Sequence, residues 1–554
     1  MILLKKLLNS PIESITSAAI ILGATSLASK ILGVIRNRIL AGTFGAGDVL
    51  DSYYAAFRLP DLIFNLVVLG ALSAGFIPIF AGLIKEAKGH SRNPASMTTS
   101  IMPQWQFAAN VFNFFVIILA ILAGGLIIFA PKIIPLTVPG FSQTGIDLTV
   151  RMSRLMAVGP IFLGISAVLA GILQSYRYFL IYSVAPLFYN LGIILGAVFL
   201  TPWLGPMGLA WGVVGGTILH ALIQVPAVIA LGFRWRSVLD FKDVALRQLG
   251  KLMLPRTFSL AISQLNFVAM TVIASTLTVG SITVFNFAND IQNFPLGLFS
   301  LSLATAAFPA FASLAAAKDY QSLRRNFQNT ASLILFLTIP AAILLLLLRA
   351  QIVRVLLGWG EFNWEDTITT ADTLAFFSLS LFAQGLLPLL VRVFYALQDT
   401  WRPFIIGLFS TAVNILLALY LKDLLGIAGL SLAFSVATII NVILLWAILH
   451  HRIGCLGEAQ IVPSLLKVSL ASLAMAITVQ AVKYLVAPLV NMHTFNGIAL
   501  QGLVATVLGL FVFIVISLLL KNQEMIIIKR AFTRRLFKGK EVHGLTGEGG
   551  IGSG

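Results

Sequence analysis

Charged residues are scarce in this sequence. Only 10% of its 554 residues are Asp, Glu, Lys or Arg, whereas soluble domains carry about 25%. Hydrophobic residues make up 58% and occur in runs of about 20 to 30, too long for the alternating strands of a membrane barrel. Because a bilayer offers no water to backbone groups, runs of this kind cross it as helices. The sequence predicts an all-α polytopic membrane protein.

Cysteine is nearly absent. The one cysteine, Cys455, excludes an internal disulfide and any multi-cysteine metal or iron–sulfur site, and we expect it to serve packing. The sequence also lacks a Walker A motif, HExxH and a nucleophile elbow. No soluble stretch is long enough for a nucleotide-binding domain. We therefore expect no catalytic residues, no metal site, no cofactor and no ATP hydrolysis.

Acidic residues are outnumbered: 20 Asp and Glu stand against 37 Lys and Arg, a net charge of +17. In a soluble chain this balance would suggest nucleic acid, but in a membrane protein the positive-inside rule accounts for it. If the N-terminus is cytoplasmic, the outer loops hold chiefly Lys132, Arg354 and Lys422. We therefore expect both termini in the cytoplasm, an even number of spans and no nucleic-acid partner.

Apolar runs between charged or Gly/Pro-rich breaks predict about fourteen spans. They lie near 14–43, 51–83, 107–130, 148–173, 178–200, 207–232, 254–279, 283–315, 328–348, 368–396, 403–421, 427–449, 463–487 and 497–520. We predict an N-terminal lobe at 1–235 (spans 1–6), a C-terminal lobe at 236–452 (spans 7–12), spans 13 and 14 at 453–522, and a basic, flexible cytoplasmic tail at 523–554.

Three anchors recur in order along the two predicted lobes, which indicates a duplication. The pattern P-x-F-A-x-L occurs at 78–83 and 309–314, Leu173-Gln174 matches Leu397-Gln398, and a Gly-x-x-Gly-Leu pattern occurs at 205–209 and 426–430. The offsets are 231, 224 and 221 residues. Because each copy holds six spans, an even number, we expect the two lobes to be related by a pseudo-two-fold axis along the membrane normal.

Span 1 carries cations that a bilayer disfavours. A charged side chain near the bilayer centre costs roughly 2.5 to 3.5 kcal/mol even on lenient scales. On a helical wheel Lys30 and Arg36 lie on a polar arc with Ser26, Ser29 and Asn37, which should face a water-filled cavity. Snorkelling, or ion pairing that sets topology, is the alternative explanation for the two cations.

Spans 2 and 8 each carry a polar stripe that we expect to line the same cavity. In span 2 an Arg58–Asp61 pair at i, i+3 is an alternative, because it can neutralise itself. The candidate substrate-binding residues in the three spans are Lys30, Arg36, Asp51, Arg58, Asn65, Asn286, Asn289, Asp290 and Asn293.

Several segments resemble the MurJ (MviN) lipid II flippase family of the multidrug/oligosaccharidyl-lipid/polysaccharide (MOP) exporter superfamily. They are Ser29–Arg36 (SKILGVIR), Phe44–Gly47 (FGAG), Phe57–Leu62 (FRLPDL), Gly70–Pro78 (GALSAGFIP), Asn293–Gly297 (NFPLG) and Phe394–Thr400 (FYALQDT). The resemblance covers nearly the whole chain. It implies fourteen spans and a multi-pass protein of the bacterial inner membrane that serves peptidoglycan biosynthesis, cell wall biogenesis and cell shape.

The resemblance also implies a site. A central cationic cavity would take the pyrophosphate–sugar head group of an undecaprenyl-pyrophosphate-linked sugar-peptide lipid, with the lipid tail in a groove beside spans 13 and 14. Lys30 and Arg36 match two cationic positions of the family and Asp51 an acidic one. The chain differs from typical members at three polar positions: Asn65 and Asp290 stand where arginine is usual, and Asn37 where an acid is frequent.

These patterns leave several functions open. The first is lipid II transport by alternating access, driven by the membrane potential or by an ion such as H⁺ or Na⁺. An exporter of another lipid-linked oligosaccharide or a drug-type antiporter of the same superfamily would use the same bundle, and head-group competition would separate these. A non-transporting scaffold that binds cell-wall synthesis proteins would not need polar stripes, and a membrane glycosyltransferase would need an acidic metal motif.

Overall fold

The protein is almost entirely helical in the part of the chain that the computed structural model describes, residues 15–69, 75–90, 103–492 and 494–527. The helices are α1 (Ile15–Phe44), α2 (Asp48–Phe64), α3 (Ile77–His90), α4 (Pro103–Thr137), α5 (Gln143–Met156), α6 (Gly159–Ser175), α7 (Phe179–Leu195), α8 (Thr201–Leu204), α9 (Met207–Leu222), α10 (Val225–Ala230), α11 (Val244–Ser275), α12 (Ser281–Pro295), α13 (Leu301–Ala316), α14 (Tyr320–Leu347), α15 (Arg349–Leu357), α16 (Trp364–Ser378), α17 (Leu381–Ala396), α18 (Trp401–Leu425), α19 (Ile427–Ile453), α20 (Glu458–Val486) and α21 (Phe495–Leu519).

The prediction of an all-α polytopic membrane protein is confirmed. Among the described residues, ten helices are long and apolar enough to cross a membrane, or eleven if the bent pair α16 and α17 is one span. The other three predicted spans, 14–43, 51–83 and 254–279, coincide with α1, with α2 and α3, and with α11. Because these helices are more polar or have shorter apolar stretches, the count of fourteen stays a prediction.

Several helices begin at side-chain caps that the sequence supplies. Ser142 accepts a hydrogen bond from the Gly145 amide at 3.2 Å, and Asp243 accepts one from the Ala245 amide at 2.8 Å. Asp319 does the same for α14. Such caps satisfy amides at the helix start that have no partner within the helix. They explain why these helices begin where the polar loops end.

The predicted duplication is visible in local geometry. Spans 2 and 8 each contain a short π-helical segment, Asn65–Leu69 and Leu296–Ser300. Their first residues are 231 positions apart, the same offset as the two P-x-F-A-x-L patterns. In those patterns Phe80 and Phe311 are both fully buried. A π segment is rare and marks a register change in the helix, so its recurrence at matched positions supports the first sequence anchor.

The third anchor builds the same turn twice. Gly205 and Gly426 have φ of 59° and 57°, a conformation that disfavours any residue with a Cβ atom. The amide of Gly208 donates to the Gly205 carbonyl at 3.0 Å, and that of Gly429 donates to Gly426 at 3.1 Å. The glycines that match in the two sequence patterns therefore form equivalent turns, 221 residues apart.

The second anchor was paired wrongly by three residues. The turns that follow α6 and α17 place Arg177 and Gln398 at φ of 64° and 57°. In each turn the next amide donates to the carbonyl five residues earlier, at 2.8 and 2.9 Å. These residues are 221 positions apart, whereas pairing Leu173 with Leu397 gave 224. The error arose because Leu and Gln alone do not identify the residue that leaves the helical conformation.

Packing divides the chain into two compact units. The first comprises Met1–Asp290, Leu356–Thr373 and Gly407–Ala437; the second comprises Ile291–Val355, Leu374–Ile406 and Thr438–Gly554. The first unit has an aromatic-rich core that includes Phe76, Phe107 and Phe115. In the second unit α20 packs against α21 and α14. The predicted lobe boundaries are not tested by this division and stay a prediction, and most of the predicted tail lies outside the described residues.

Candidate functional site

A polar cluster forms around Arg36 in the first unit. The Arg36 guanidinium donates from Nη2 and Nε to Asn37 Oδ1, at 2.8 and 3.1 Å. Its Nη1 donates to Asn190 Oδ1 on α7 at 3.1 Å. The side chain of Arg36 is nevertheless 21% exposed. The cation is thus held in one orientation, by neutral acceptors, while part of it stays accessible to an incoming anion.

The carboxylate of Asp290 completes this cluster. Asn37 Nδ2 donates to Asp290 Oδ2 at 2.8 Å, and that oxygen lies 3.8 Å from Arg36 Nη2. The Asp290 side chain is 43% exposed. Asp290 is therefore paired with a cation of span 1 and does not stand as an uncompensated negative charge.

Arg58 on α2 contacts two other helices. Its Nε donates to Thr271 on α11 at 2.8 Å, and its Nη2 donates to Asn286 on α12 at 2.7 Å. The guanidinium carbon also lies 5.5 Å from the centroid of the Phe267 ring, within the range of a cation–π contact. Two donors of Arg58 are thus engaged by α11 and α12, and the pairing of its charge with Asp61 stays a prediction.

Asp51 caps the start of α12. Its Oδ2 accepts the Gly280 amide at 2.7 Å, and its Oδ1 accepts both the amide and the hydroxyl of Thr283, at 2.8 and 2.7 Å. The residue is only 3% exposed. A direct contact between Asp51 and a substrate would require it to release one of these donors. The geometry assigns it first to holding α12 in place.

The remaining predicted site residues lie around these contacts or farther along the same helices. Lys30 is half-buried on α1, six residues before Arg36 and therefore roughly 9 Å away along the helix axis. Asn65 is half-buried at the first position of the π segment of span 2. On α12, Asn289 is half-buried and Asn293 is exposed. Substrate contact by these residues stays a prediction.

Close approaches connect the end of α1 and the α1–α2 loop to other parts of the first unit. The Glu361 amide donates to the Gly42 carbonyl at 2.9 Å. A methyl group on Gly42 would lie 2.1 Å from the Trp359 ring, and one on Gly280 would lie 2.2 Å from the Ala46 carbonyl oxygen. Only glycine fits at these two contacts. The loop, the α15–α16 connection and the start of α12 therefore pack as one surface.

Sequence reasoning missed two polar residues. Asn190 is a single amide in an apolar helix, so no periodic pattern marked it. Arg392 on α17, in the second unit, donates to Thr305 Oγ1 at 2.8 Å and to the Pro388 carbonyl at 3.4 Å. It is a half-buried intramembrane cation, and intramembrane cations are functional candidates by default. The charge of Arg392 within an apolar segment was the one sequence signal that could have identified it.

Cys455 is exposed and unpaired with another cysteine, so the expectation that it packs inside the protein was wrong. It lies in the loop between α19 and α20, one residue after Gly454, whose φ is 84°.

Residues 40–518 match the family described as lipid II flippase MurJ. The probable lipid II flippase MurJ of Rhizobium meliloti (strain 1021) is 30% identical over 509 residues, which cover 88% of this chain and 91% of that protein.

Two solved structures have a similar fold. A lipid II flippase MurJ in an inward closed conformation has a TM-score of 0.73 at 24% identity, covering 90% of this chain and 98% of that one. An inward-facing multidrug resistance MATE family transporter of the MOP superfamily has a TM-score of 0.63 at 16% identity, covering 78% and 96%.

Proposed function

Because the chain belongs to the lipid II flippase MurJ family, we propose that it carries lipid II from the inner to the outer leaflet of the bacterial cytoplasmic membrane. It is a multi-pass membrane transporter and not an enzyme. Its substrate is a lipid-linked molecule, for which we propose the undecaprenyl-pyrophosphate-linked sugar-peptide of peptidoglycan synthesis. Both termini would lie in the cytoplasm.

The observation that carries this proposal is Arg36, which is partly exposed and is hydrogen-bonded to two asparagines. A pyrophosphate with about two negative charges needs cations or dense donors in a membrane, and arginine is suited to bind it in two-point fashion. The carboxylate of Asp290, half-exposed and 3.8 Å from the guanidinium, occupies part of the place that a phosphate oxygen would take. The head group would displace it and gain Arg36, with Lys30 as the second cation of the stripe.

The contacts of α12 support alternating access. Asp51, Arg58 and Asn37 hold α12 at Thr283, Asn286 and Asp290, which lie on one helix face at spacings of three and four residues. Transport would require this face to separate from α1 and α2, so that the head group site opens on the other side. A substrate that takes Arg36 from Asp290 would weaken one of these contacts.

An inside-negative potential moves an anion outward by about 2.3 kcal/mol per charge per 100 mV, so the membrane potential, alone or with an H⁺ or Na⁺ gradient, can drive the cycle without ATP. We propose no cofactor for the transport step itself. Cell-wall synthesis proteins are further candidate partners through the basic tail.

Complementation tests the proposal. The chain, with Lys30→Ala and Arg36→Ala variants, would be expressed in a bacterium depleted of its own lipid II flippase, and survival and outer-leaflet lipid II would be scored. Arg38→Ala is the matched control, because Arg38 lies on α1 outside the polar arc. Rescue by wild type and Arg38→Ala but not by the other two supports substrate and site. Failure of a well-inserted wild type would direct the proposal to another lipid-linked oligosaccharide.

A further inference from the structure

Three side chains with metal-ligand chemistry converge where α19 ends and α20 begins. His450 lies in the last turn of α19, Cys455 in the connecting loop, and Glu458 at the first position of α20. One ligand atom from each lies within 4.8 Å of the other two. His450 Nδ1 and Glu458 Oε1 are already 2.8 Å apart. The chain's single cysteine is thus placed beside a histidine and a carboxylate, within nine residues of sequence.

Two glycines in left-handed conformations shape the loop that carries Cys455. Gly454 and Gly457, on either side, have φ of 84° and 90°, which favours glycine. A methyl group on Gly454 would lie 2.9 Å from the Arg324 guanidinium, and one on Gly457 would lie 2.6 Å from Gln328 Oε1. The positive φ therefore favours glycine at both positions, whereas the Arg324 and Gln328 side chains could shift to make room for a methyl group. The loop lies tightly against α14 and leaves Cys455 exposed.

We propose that His450, Cys455 and Glu458 bind a divalent transition metal of the zinc type. Thiolate, imidazole and carboxylate together suit Zn²⁺, whereas Mg²⁺ and Ca²⁺ prefer oxygen ligands alone. Ligand atoms around a tetrahedral Zn²⁺ are roughly 3.3 to 3.6 Å apart. Binding requires His450 and Glu458 to separate by roughly half an ångström and Cys455 to move in by about one. The Cys455 thiol proton, and any proton shared by His450 and Glu458, pass to water.

A cavity beside the cluster provides the fourth coordination position. Its volume is about 1000 Å³, and His450, Cys455 and Glu458 are among its lining residues. A water molecule can therefore complete a four-coordinate metal. Arg324 and Arg325 line the same cavity, and their positive charges disfavour a bare dication there. The two negative charges of the thiolate and the carboxylate offset this repulsion.

A further contact orients the carboxylate. Trp446 Nε1 donates to Glu458 Oε1 at 3.1 Å, which fixes the acid toward α19. Supporting hydrogen bonds of this kind typically raise metal affinity by tenfold or more. A metal at this place would tie the end of α19 to the start of α20, and thereby link the predicted spans 12 and 13. On the predicted cytoplasmic side, glutathione keeps Cys455 reduced and available. This inference does not depend on the proposed transport function.

The test uses the purified full chain without a polyhistidine tag, in nanodiscs, because a tag would itself bind zinc. Maleimide alkylation reports Cys455 alone, since the chain has one cysteine. We expect stoichiometric ZnCl₂ to slow alkylation at least tenfold and MgCl₂ to leave it unchanged. Added Co²⁺ should give a thiolate-to-cobalt charge-transfer band with one metal per chain.

Variants assign the ligands. His450→Ala and Glu458→Gln should each weaken zinc protection of Cys455 at least about tenfold, and Cys455→Ser should abolish the cobalt band. His451→Ala, a change at the adjacent exposed histidine, is the matched control and should leave both readouts unchanged. Size-exclusion profiles identify any variant that misfolds. Absence of zinc protection in the wild type, or equal weakening by His451→Ala, would overturn the assignment.

Discussion

Asp51 holds Thr283 through one carboxylate oxygen, which accepts both the backbone amide and the side-chain hydroxyl of that residue, at 2.8 and 2.7 Å. The two residues are 232 positions apart in the sequence. The contact connects span 2 to the first turn of α12, and a carboxylate at a helix N-terminus also offsets the positive end of the helix dipole. This pair is one of the contacts that hold α12 against α2, together with the hydrogen bond from Arg58 to Asn286.

Asp51→Ala should destabilise the protein. Three donors would lose their acceptor, and removal of an N-cap or of a partner for buried donors costs about 1 to 3 kcal/mol. Thr283→Val removes only the hydroxyl contact and should cost about 1 kcal/mol. Thermal unfolding in detergent gives the comparison, with Asp48→Ala as the control because Asp48 is an exposed acid on the same helix. Equal unfolding temperatures for Asp51→Ala and Asp48→Ala would contradict the capping role.

Arg36→Lys should bind lipid II more weakly than wild type but more tightly than Arg36→Ala. Lysine retains the charge but cannot make the three guanidinium contacts to Asn37 and Asn190, and it binds phosphate at a single point. A lost charged hydrogen bond costs about 1.5 to 3 kcal/mol, so Arg36→Ala should bind lipid II at least about tenfold more weakly. Binding of labelled lipid II to each variant in nanodiscs measures the two affinities. Indistinguishable affinities for the two variants would exclude a role for the charge.

Asp290→Asn should strengthen lipid II binding. The amide can still contact Asn37, but the negative charge that competes with the substrate at Arg36 is removed. A partly exposed ion pair contributes about 0.2 to 1 kcal/mol, so the affinity should rise by up to about fivefold. The same nanodisc assay applies. Weaker binding in this variant would mean that Asp290 contacts the substrate favourably, through its sugars or its peptide.

Gly205→Ala and Gly426→Ala should destabilise the protein to a similar extent. Both glycines have positive φ, where a Cβ atom costs roughly 1 to 2 kcal/mol. Gly407→Ala is the matched control: Gly407 lies within α18, and a methyl group there meets no atom within 4 Å, so helix propensity should make it neutral or slightly stabilising. Thermal unfolding compares the three. A neutral result at only one of the two turns would argue against their equivalence.

The apolar runs predicted the helices well, because burial in lipid requires length and hydrophobicity and little else. They could not predict the break between Met156 and Gly159 or the bend between α16 and α17, since these depend on packing against other helices. The π segments at Asn65 and Leu296 were likewise not predicted, because a hydrogen-bond register has no hydropathy signal.

The site was predicted in part. The polar arc of span 1 identified Arg36, and the stripe of span 8 identified Asn286 and Asp290, because charges and amides in apolar helices are conspicuous. The partners were not predictable: Arg58 bonds Thr271 across 213 residues of sequence. Local spacing predicts which residues share a helix face. Which residues of other helices they contact depends on tertiary packing, which the spacing does not show.

The most direct test of the central claim is a reconstituted transport measurement. The purified chain in proteoliposomes would be given fluorescent lipid II or fluorescent phosphatidylglycerol, and the rate of appearance in the opposite leaflet would be measured for wild type, Arg38→Ala and Arg36→Ala. We predict that wild type and Arg38→Ala move lipid II but not the phospholipid, and that Arg36→Ala is at least about tenfold slower. Lipid II movement no faster than in protein-free vesicles, or an Arg36→Ala rate equal to wild type, would contradict the account.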